Sequence, residues 1–191
     1  TYTVTLDVTS NSTGCINSDS LTFVVNVFSG GIDAPSQACV GETIQINNAS
    51  TVGSNAWSWD FGSGGTSNNE NFTGAYGSPG TYTITLDVQN TDIGCSDVVT
   101  QDIEILPLPT PSLTASPVIG CSPMDVTFTN TSSSGVIFDW VFGNGNTFSG
   151  QNPPVEQYTM SGSYSVDLTM TDENGCSNAI TYVDLIEVEE L

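Results

Sequence analysis

The stretch Thr81-Tyr-Thr-Ile-Thr-Leu-Asp-Val88 decides the fold class of this chain. From Tyr82 to Val88, apolar side chains alternate with polar ones, which is the period expected of a β-strand that is buried on one face. Similar strand signals occur elsewhere, and no long stretch has helical periodicity; the other predicted strands are 21–27, 43–46, 98–105, 126–128 and 179–188. The pattern therefore predicts an all-β protein.

The same stretch belongs to an internal repeat of about eighty residues. It matches Thr1-Tyr-Thr-Val-Thr-Leu-Asp-Val8 upstream and, more loosely, Ser163-Tyr-Ser-Val-Asp-Leu-Thr-Met170 downstream. This spacing predicts three parts: residues 1–30 are the C-terminal part of a repeat, and 31–107 and 108–191 are complete repeats. About seven short strands in each complete repeat predict a β-sandwich. Because an isolated hairpin is only marginally stable in water, we expect further repeats upstream of residues 1–30. Residues 186–191 close a strand of the kind that elsewhere runs into a linker, so we expect further repeats downstream as well.

The composition excludes several classes of function. The 191 residues include 21 Asp and Glu but no Lys, Arg or His, so the net charge is -21. Without His or Lys the chain lacks the ordinary general bases of enzymes, and without cations it cannot neutralise phosphates. We therefore expect no enzymatic activity, no nucleic-acid partner, no membrane insertion and no cofactor. Calcium at acidic loops such as Asp172-Glu173 is the one alternative, against a simply solvated acidic surface.

Two segments around tryptophans share an ordered set of motifs. Trp57-Ser-Trp-Asp-Phe-Gly-Ser-Gly64 is followed by Tyr76 and by Pro79-Gly-Thr-Tyr-Thr-Ile-Thr-Leu-Asp-Val88. Asp139-Trp-Val-Phe-Gly-Asn-Gly145 is a degenerate copy, followed by Tyr158 and a similar strand. In order and spacing these motifs resemble the polycystic-kidney-disease (PKD) domain, an Ig-like β-sandwich. The resemblance implies tandem Ig-like sandwiches joined end to end.

The residues of the motif have physical roles in such a sandwich. Trp59 and Phe61 would fill the core, and Gly62 and Gly64 would allow the tight turn that follows. Asp60 is expected to bond backbone amides in that turn. The acidic positions of the family's turn are otherwise replaced by uncharged residues, which argues against calcium binding there: Ser63, Val141 and Asn144.

The five cysteines predict disulfide bonds in an extracellular protein. Cys15, Cys95 and Cys176 each follow a glycine at matching places, and Cys39 matches Cys121. Pairing within repeats would join Cys39 to Cys95 and Cys121 to Cys176, and would leave Cys15 to a partner upstream. Pairing between repeats would join Cys39 to Cys176, with Cys15 and Cys95 bonded to repeats upstream and Cys121 to one downstream. In Ig-like topology the two kinds of cysteine lie in loops at opposite poles, about 20 Å apart, and bridged Cα atoms lie within about 7 Å. This favours the inter-repeat pairing, but both remain open.

The resemblance also implies a function. PKD copies with Gly-Cys motifs are similar to those of giant surface adhesins and appendages exported by type IX secretion. We expect an extracellular stalk or filament segment at the cell surface, which extends the protein for attachment or contact with other cells. Its partners would be neighbouring repeats, further copies in a homo-oligomer or filament, and a cell-surface glycan or protein. The alternative is a carbohydrate-binding or spacer module of a secreted hydrolase. Its sugar contact would be Trp57, with Tyr76, Phe148 and Tyr158 as further candidates.

Overall fold

The computed structural model describes residues 2–23, 27–51, 53–133 and 135–190. In these residues the secondary structure consists of strands, numbered β1 to β18 in chain order. The first two strands are β1 (Tyr2–Thr9) and β2 (Ile16–Phe23). The next eight are β3 (Ile32–Asp33), β4 (Gln37–Cys39), β5 (Ile44–Asn48), β6 (Ala56–Asp60), β7 (Thr66–Ser67), β8 (Phe72–Gly74), β9 (Gly80–Asn90) and β10 (Cys95–Leu106). The last eight are β11 (Leu113–Ser116), β12 (Ile119–Cys121), β13 (Met124–Asn130), β14 (Ile137–Val141), β15 (Thr147–Ser149), β16 (Glu156–Tyr158), β17 (Gly162–Thr171) and β18 (Ser177–Glu189).

The all-β prediction is confirmed, and the strand that decided it is β9. Its alternating residues Ile84, Leu86 and Val88 are fully buried, as the period of two requires. Part of the predicted strand 21–27 lies outside the described residues, as does Thr1 of the first matching stretch. No helix in the described residues is long and apolar enough to cross a membrane.

Each complete repeat consists of one three-stranded and one five-stranded sheet. In the second repeat the strand orders are β3-β5-β8 and β4-β10-β9-β6-β7, and in the third they are β11-β13-β16 and β12-β18-β17-β14-β15. Both sheets of the third repeat contribute to one hydrophobic core, with Val126 and Phe128 from the smaller sheet and Trp140, Leu168 and Ile186 from the larger. This two-sheet arrangement is the predicted Ig-like sandwich.

The structure corrects the strand count, because each complete repeat has eight strands where seven were predicted. The expected first strand is divided in two, with Pro35 between β3 and β4 and Pro117 between β11 and β12. Proline has no N–H to donate and so interrupts a ladder of hydrogen bonds. The second half then pairs in parallel with the last strand of the repeat, β4 with β10 and β12 with β18.

The hairpin of β1 and β2 forms a separate two-stranded sheet. Its antiparallel register runs from Tyr2 opposite Phe23 to Thr9 opposite Ile16. Leu6 is 65% exposed, although its equivalent in β9, Leu86, is fully buried. The hairpin therefore carries the alternating pattern of a core strand without the burial that the complete repeats provide.

The chain forms two compact units. The first contains residues 1–35, 44–74 and 82–103, and the second contains residues 36–43, 75–81 and 104–191. The second unit thus holds the whole third sandwich together with short pieces of the preceding repeat. The repeat boundaries given by the sequence, 1–30, 31–107 and 108–191, stay predictions.

The turn after β14 provides a test of the fold with a matched pair of glycines. Gly143 has a φ of 79°, and a Cβ added there would lie 2.5 Å from the backbone oxygen of Ser165. Gly145 has a φ of 97°, but a Cβ added there would meet nothing within 4 Å. Both alanine variants carry the cost of a left-handed backbone, about 1–2 kcal/mol, and only Gly143→Ala adds a backbone clash. We expect urea unfolding to show the larger loss of stability for Gly143→Ala. Equal losses would show that the turn is not packed against Ser165.

Candidate functional site

A disulfide bond joins Cys39 to Cys176. The Sγ–Sγ distance is 2.03 Å, the Cα–Cα distance is 5.6 Å and the two residues are 137 positions apart in the sequence. Cys39 ends β4, and Cys176 directly precedes β18. Both cysteines lie in the second compact unit. The bond is the inter-repeat pairing, one of the two alternatives that the sequence left open.

The third sandwich shows why a cysteine pair does not close within one repeat. Cys121 pairs with Glu189 at the last residues of β18, whereas Cys176 precedes the first residue of that strand, Ser177. A strand of 13 residues is roughly 40 Å long, and bridged Cα atoms lie within about 7 Å. The two cysteines are therefore separated by a strand length, as expected. They mark the two ends of one strand, however, because Cys121 lies in a short strand and not in the predicted loop.

Two carboxylates position the bonded cysteines. The backbone N–H of Cys39 donates to Oε2 of Glu42 at 2.8 Å, and the N–H of Glu42 donates to the carbonyl oxygen of Cys39 at 3.0 Å. At the other end, the N–H of Cys176 donates to Oδ1 of Asp172 at 2.9 Å, and the N–H of Asp172 donates to the carbonyl oxygen of Cys176 at 3.0 Å. Reciprocal bonds of this kind fix the backbone of each cysteine on its turn.

The sequence analysis missed these two positioning residues. Asp172 entered it only as part of an acidic surface pair, and Glu42 did not enter it. The available signal was a carboxylate three or four residues from a cysteine in a segment rich in turn residues. In the described residues, no group of three or more Cys, Asp and Glu side chains is arranged to hold a metal ion.

The other three cysteines have free thiols in the structure. Cys15 and Cys121 are exposed, and Cys95 is half-buried. Cys176, by contrast, is fully buried beside its partner. That the three free cysteines also form disulfides stays a prediction.

The aromatic candidates for sugar binding lie largely in the cores. Tyr158 is fully buried, Tyr76 is 7% exposed and Phe148 packs against the third core. Trp57 is half-buried and lies two residues before Trp59, on the same face of β6. The Nε1 of Trp57 is buried and has no hydrogen-bond partner among the described residues. Sugar contacts at Trp57 and at the partly buried Phe148 stay predictions, whereas Tyr76 and Tyr158 lack the exposed ring face that stacking on a sugar requires.

The structural role expected of Asp60 is confirmed. Its Oδ1 accepts the backbone N–H of Gly62 at 2.8 Å in the turn after β6. The third repeat has Val141 at the equivalent position, and a different side chain bonds the backbone of its turn: Oδ1 of Asn144 accepts the N–H of Asn146 at 3.0 Å. In the third repeat, the side-chain amide of Asn144 thus replaces the carboxylate of the signature as the group that bonds the backbone of the turn.

A buried carboxylate, also missed by the sequence analysis, holds this turn in the third repeat. Glu156 is only 9% exposed, and its Oε1 accepts hydrogen bonds from the side-chain amides of Asn144 and Asn146. A buried charge is costly unless it is hydrogen-bonded, and a chain without cations must supply neutral donors. The two amides meet that need and tie the turn to β16.

The neighbouring Tyr158 gives a pH-dependent prediction. Its hydroxyl donates to the carbonyl oxygen of Phe142 at 2.8 Å. Burial, and then the Glu156 carboxylate, raise the pKa of Tyr158 far above its ordinary value of 10.0. Because the folded pKa exceeds the unfolded one, this contribution to stability is complete below the unfolded pKa and is lost as the pH rises above it.

We therefore expect Tyr158→Phe to reduce stability near neutral pH by about 1–2 kcal/mol, because a buried carbonyl loses its donor. The difference between wild type and variant should shrink as the pH is raised above about 10. Urea unfolding across this pH range measures both effects. Tyr164→Phe is the control, since the Tyr164 hydroxyl bonds Met160 at an exposed position. A difference in the free energy of unfolding between wild type and Tyr158→Phe that stays constant with pH would contradict the expectation.

Tandem β-sandwiches with a disulfide between them are features of an extracellular or secreted modular protein. The PKD domain family matches residues 30–105 and 109–188. These matches cover most of the sequence, so the chain belongs to the PKD domain family and contains two PKD domains in tandem. PKD and Ig-like domains are typically non-catalytic modules.

Solved structures are similar to this chain at low sequence identity. The PKD1 domain of Vibrio anguillarum Epp is 22% identical, with a TM-score of 0.36 over 42% of this chain and 94% of that domain. The fibronectin(III)-like modules of Clostridium thermocellum CbhA are 13% identical, with a TM-score of 0.39 over 85% of this chain and 95% of theirs. Murine CEACAM1b is 14% identical, with a TM-score of 0.34 over 85% of this chain and all of that one (100%).

Proposed function

We propose that this chain is a stalk or filament segment of a large secreted adhesin or appendage at the cell surface. Its PKD sandwiches extend the protein for attachment or contact with other cells. The observation that carries the proposal is the bond from Cys39, in the PKD sequence 30–105, to Cys176, in the PKD sequence 109–188. Such a bond suits a chain under load, because tension passes through it and bypasses the segment between the two cysteines, which are 137 positions apart.

Two further properties support this proposal. The third core is filled by large side chains such as Trp140, Phe142 and Tyr158, so the sandwich can serve as a rigid building unit. The charge of -21 without any cation keeps a long repetitive chain soluble. The proposed partners are neighbouring PKD repeats, further copies in a filament and a surface glycan or protein. Export by type IX secretion belongs to the same proposal.

Single-molecule pulling on the full chain tests the load-bearing role. Peptide tags at both termini attach the chain without using thiols. Because the cysteines are 137 positions apart, the bond should hide roughly 450–490 Å of contour length. We expect this length to be released only after a reductant is added. Cys121→Ser, which leaves the bond intact, is the control and should behave as wild type. Full extension of the oxidised chain would contradict the proposal.

Labelling of intact cells tests the location and the adhesive role. Antibodies against this chain should bind unpermeabilised cells that produce the whole protein. In-frame removal of residues 31–191 should then reduce attachment without abolishing export. Labelling only after permeabilisation would contradict the proposal. Retention of the chain on insoluble chitin or cellulose, with loss of retention in Trp57→Ala, would favour the carbohydrate-binding alternative instead.

A further inference from the structure

We propose that Cys121 and the hairpin cysteines Cys15 and Cys95 are sites of further disulfides between PKD repeats. In each bond, a cysteine equivalent to Cys39 joins the hairpin cysteine of the repeat that follows it. The inference rests on the proposed stalk function and deepens it, because it adds a disulfide cross-link at each junction between successive repeats. The partner is a PKD repeat, either in the same polypeptide or in a second copy of this chain.

Cys121 has the same structural position in the third sandwich as Cys39 has in the second. Each is the last residue of a short strand that pairs in parallel with the last strand of its repeat. In both cases the next residue donates its N–H to the carbonyl oxygen of the residue paired with the cysteine: Val40 to Leu106 at 3.0 Å and Ser122 to Glu189 at 2.9 Å. Cys39 is bonded, whereas Cys121 is an exposed free thiol.

The hairpin cysteines are equivalent to one another in the same way. Cys15, Cys95 and Cys176 each follow a glycine with a positive φ, of 71°, 68° and 86° in chain order. Each lies where the turn leads into the last strand of its hairpin. Cys176 is bonded and fully buried, whereas Cys15 is exposed and Cys95 half-buried, both as free thiols. Of the three free cysteines, Cys121 is therefore equivalent to Cys39, whereas Cys15 and Cys95 are equivalent to Cys176.

The two kinds of cysteine in the third repeat lie at opposite ends of one strand. Cys176 precedes Ser177 at the start of β18, and Cys121 pairs with Glu189 at its end. A repeat can thus be bonded to the preceding repeat at one end of its last strand and to the following repeat at the other. Tension would run along β18 and load its ladder of hydrogen bonds in shear. Successive bonds of this kind would make a continuous path.

The bond forms by thiol–disulfide exchange with a low-molecular-weight disulfide, for which oxidised glutathione is the probe. The Cys121 thiolate attacks one glutathione sulfur and releases one glutathione thiol. The hairpin cysteine thiolate then attacks the mixed disulfide at Cys121 and releases the second. Two protein thiols are oxidised, one glutathione disulfide is reduced to two thiols, and the two protein protons go to the glutathione thiolates or to solvent.

The experiment has two arms that distinguish the two sources of the partner. In the first, the full chain is concentrated in oxidised glutathione. In the second, the full chain is extended at its C-terminus by a second copy of its own residues 107–191, which adds one following repeat. Both products are digested at acidic residues without reduction and mapped by mass spectrometry. We expect Cys121 bonded to Cys15 or Cys95 of another copy in the first arm, and to the Cys176 position of the added repeat in the second.

Serine variants provide the matched controls. Cys121→Ser should abolish the new bond in both arms, whereas Cys15→Ser should leave the second arm unchanged. A disulfide between Cys121 and a hairpin cysteine in either arm supports the inference. The arm in which it appears shows whether the partner repeat belongs to a second copy or to the same polypeptide. Cys121 that stays a free thiol in both arms, or bonds only to another Cys121, overturns it. In that case the pulling experiment on the Cys39–Cys176 bond would still stand, so the proposed function is tested separately.

Discussion

Trp140→Ala is expected to lower the free energy of unfolding of the third sandwich by about 3–5 kcal/mol, the usual cost of truncating a buried tryptophan. Trp140 is 1% exposed, and its ring stacks on Phe142 with the ring centroids 6.1 Å apart. Its Nε1 donates to the carbonyl oxygen of Gly150 at 3.0 Å. The variant therefore leaves both a cavity and an unsatisfied carbonyl. Since single domains have only about 5–15 kcal/mol of stability, the sandwich should become marginal.

Urea unfolding followed by far-ultraviolet circular dichroism measures this loss, because the variant removes a fluorescent reporter. Val141→Ala is the matched control: Val141 is the next residue in β14, points to the opposite face and is 42% exposed. Its loss should stay below about 1 kcal/mol. Similar losses for the two variants would mean that β14 does not present Trp140 to the core.

The second large effect is expected from Cys39→Ser. In the chain-entropy view, a cross-link restricts the unfolded state, and for cysteines 137 positions apart its loss costs up to about 5 kcal/mol. The cost reaches this value only if both sandwiches unfold together, and it is smaller if each unfolds separately. We expect a clear drop in the urea midpoint of at least one transition.

Two further variants control for this change. Cys39→Ser together with Cys176→Ser removes the buried thiol that the single change would leave unpaired, and it should behave like the single variant. Cys121→Ser changes an exposed free thiol and should shift stability by no more than about 0.5 kcal/mol. An unchanged midpoint in the double variant would mean that the bond does not contribute to stability.

The sequence predicted the sandwich because its strands carry the pattern of burial directly. The alternation from Tyr82 to Val88 corresponds to an observed strand, β9, in which Ile84, Leu86 and Val88 are fully buried. The division of the first strand was not predictable, because β3 and β4 have only 2 and 3 residues and show no period. The parallel pairing of β4 with β10 is a long-range contact that no local pattern encodes.

Of the functional residues, too, the sequence predicted some and missed others. The repeat period placed Cys39 and Cys176 in distinct structural positions, and strand length then disfavoured a bond within one repeat. Glu42, Asp172 and Glu156 were missed because the role of a single carboxylate depends on which backbone or amide groups the fold brings to it. The pattern alone could not place Trp57 either, since a tryptophan near the end of a strand can face a core or solvent.

The central claim, that a disulfide bond joins successive PKD repeats, is tested most directly by a peptide map of the unreduced chain. Trypsin has no site in a sequence without Lys or Arg, so a protease that cleaves at Asp and Glu must be used. The structure predicts one linked pair of peptides that contains Cys39 and Cys176, with the same peptides separate after reduction. Recovery of Cys39 linked to Cys95 would contradict the account.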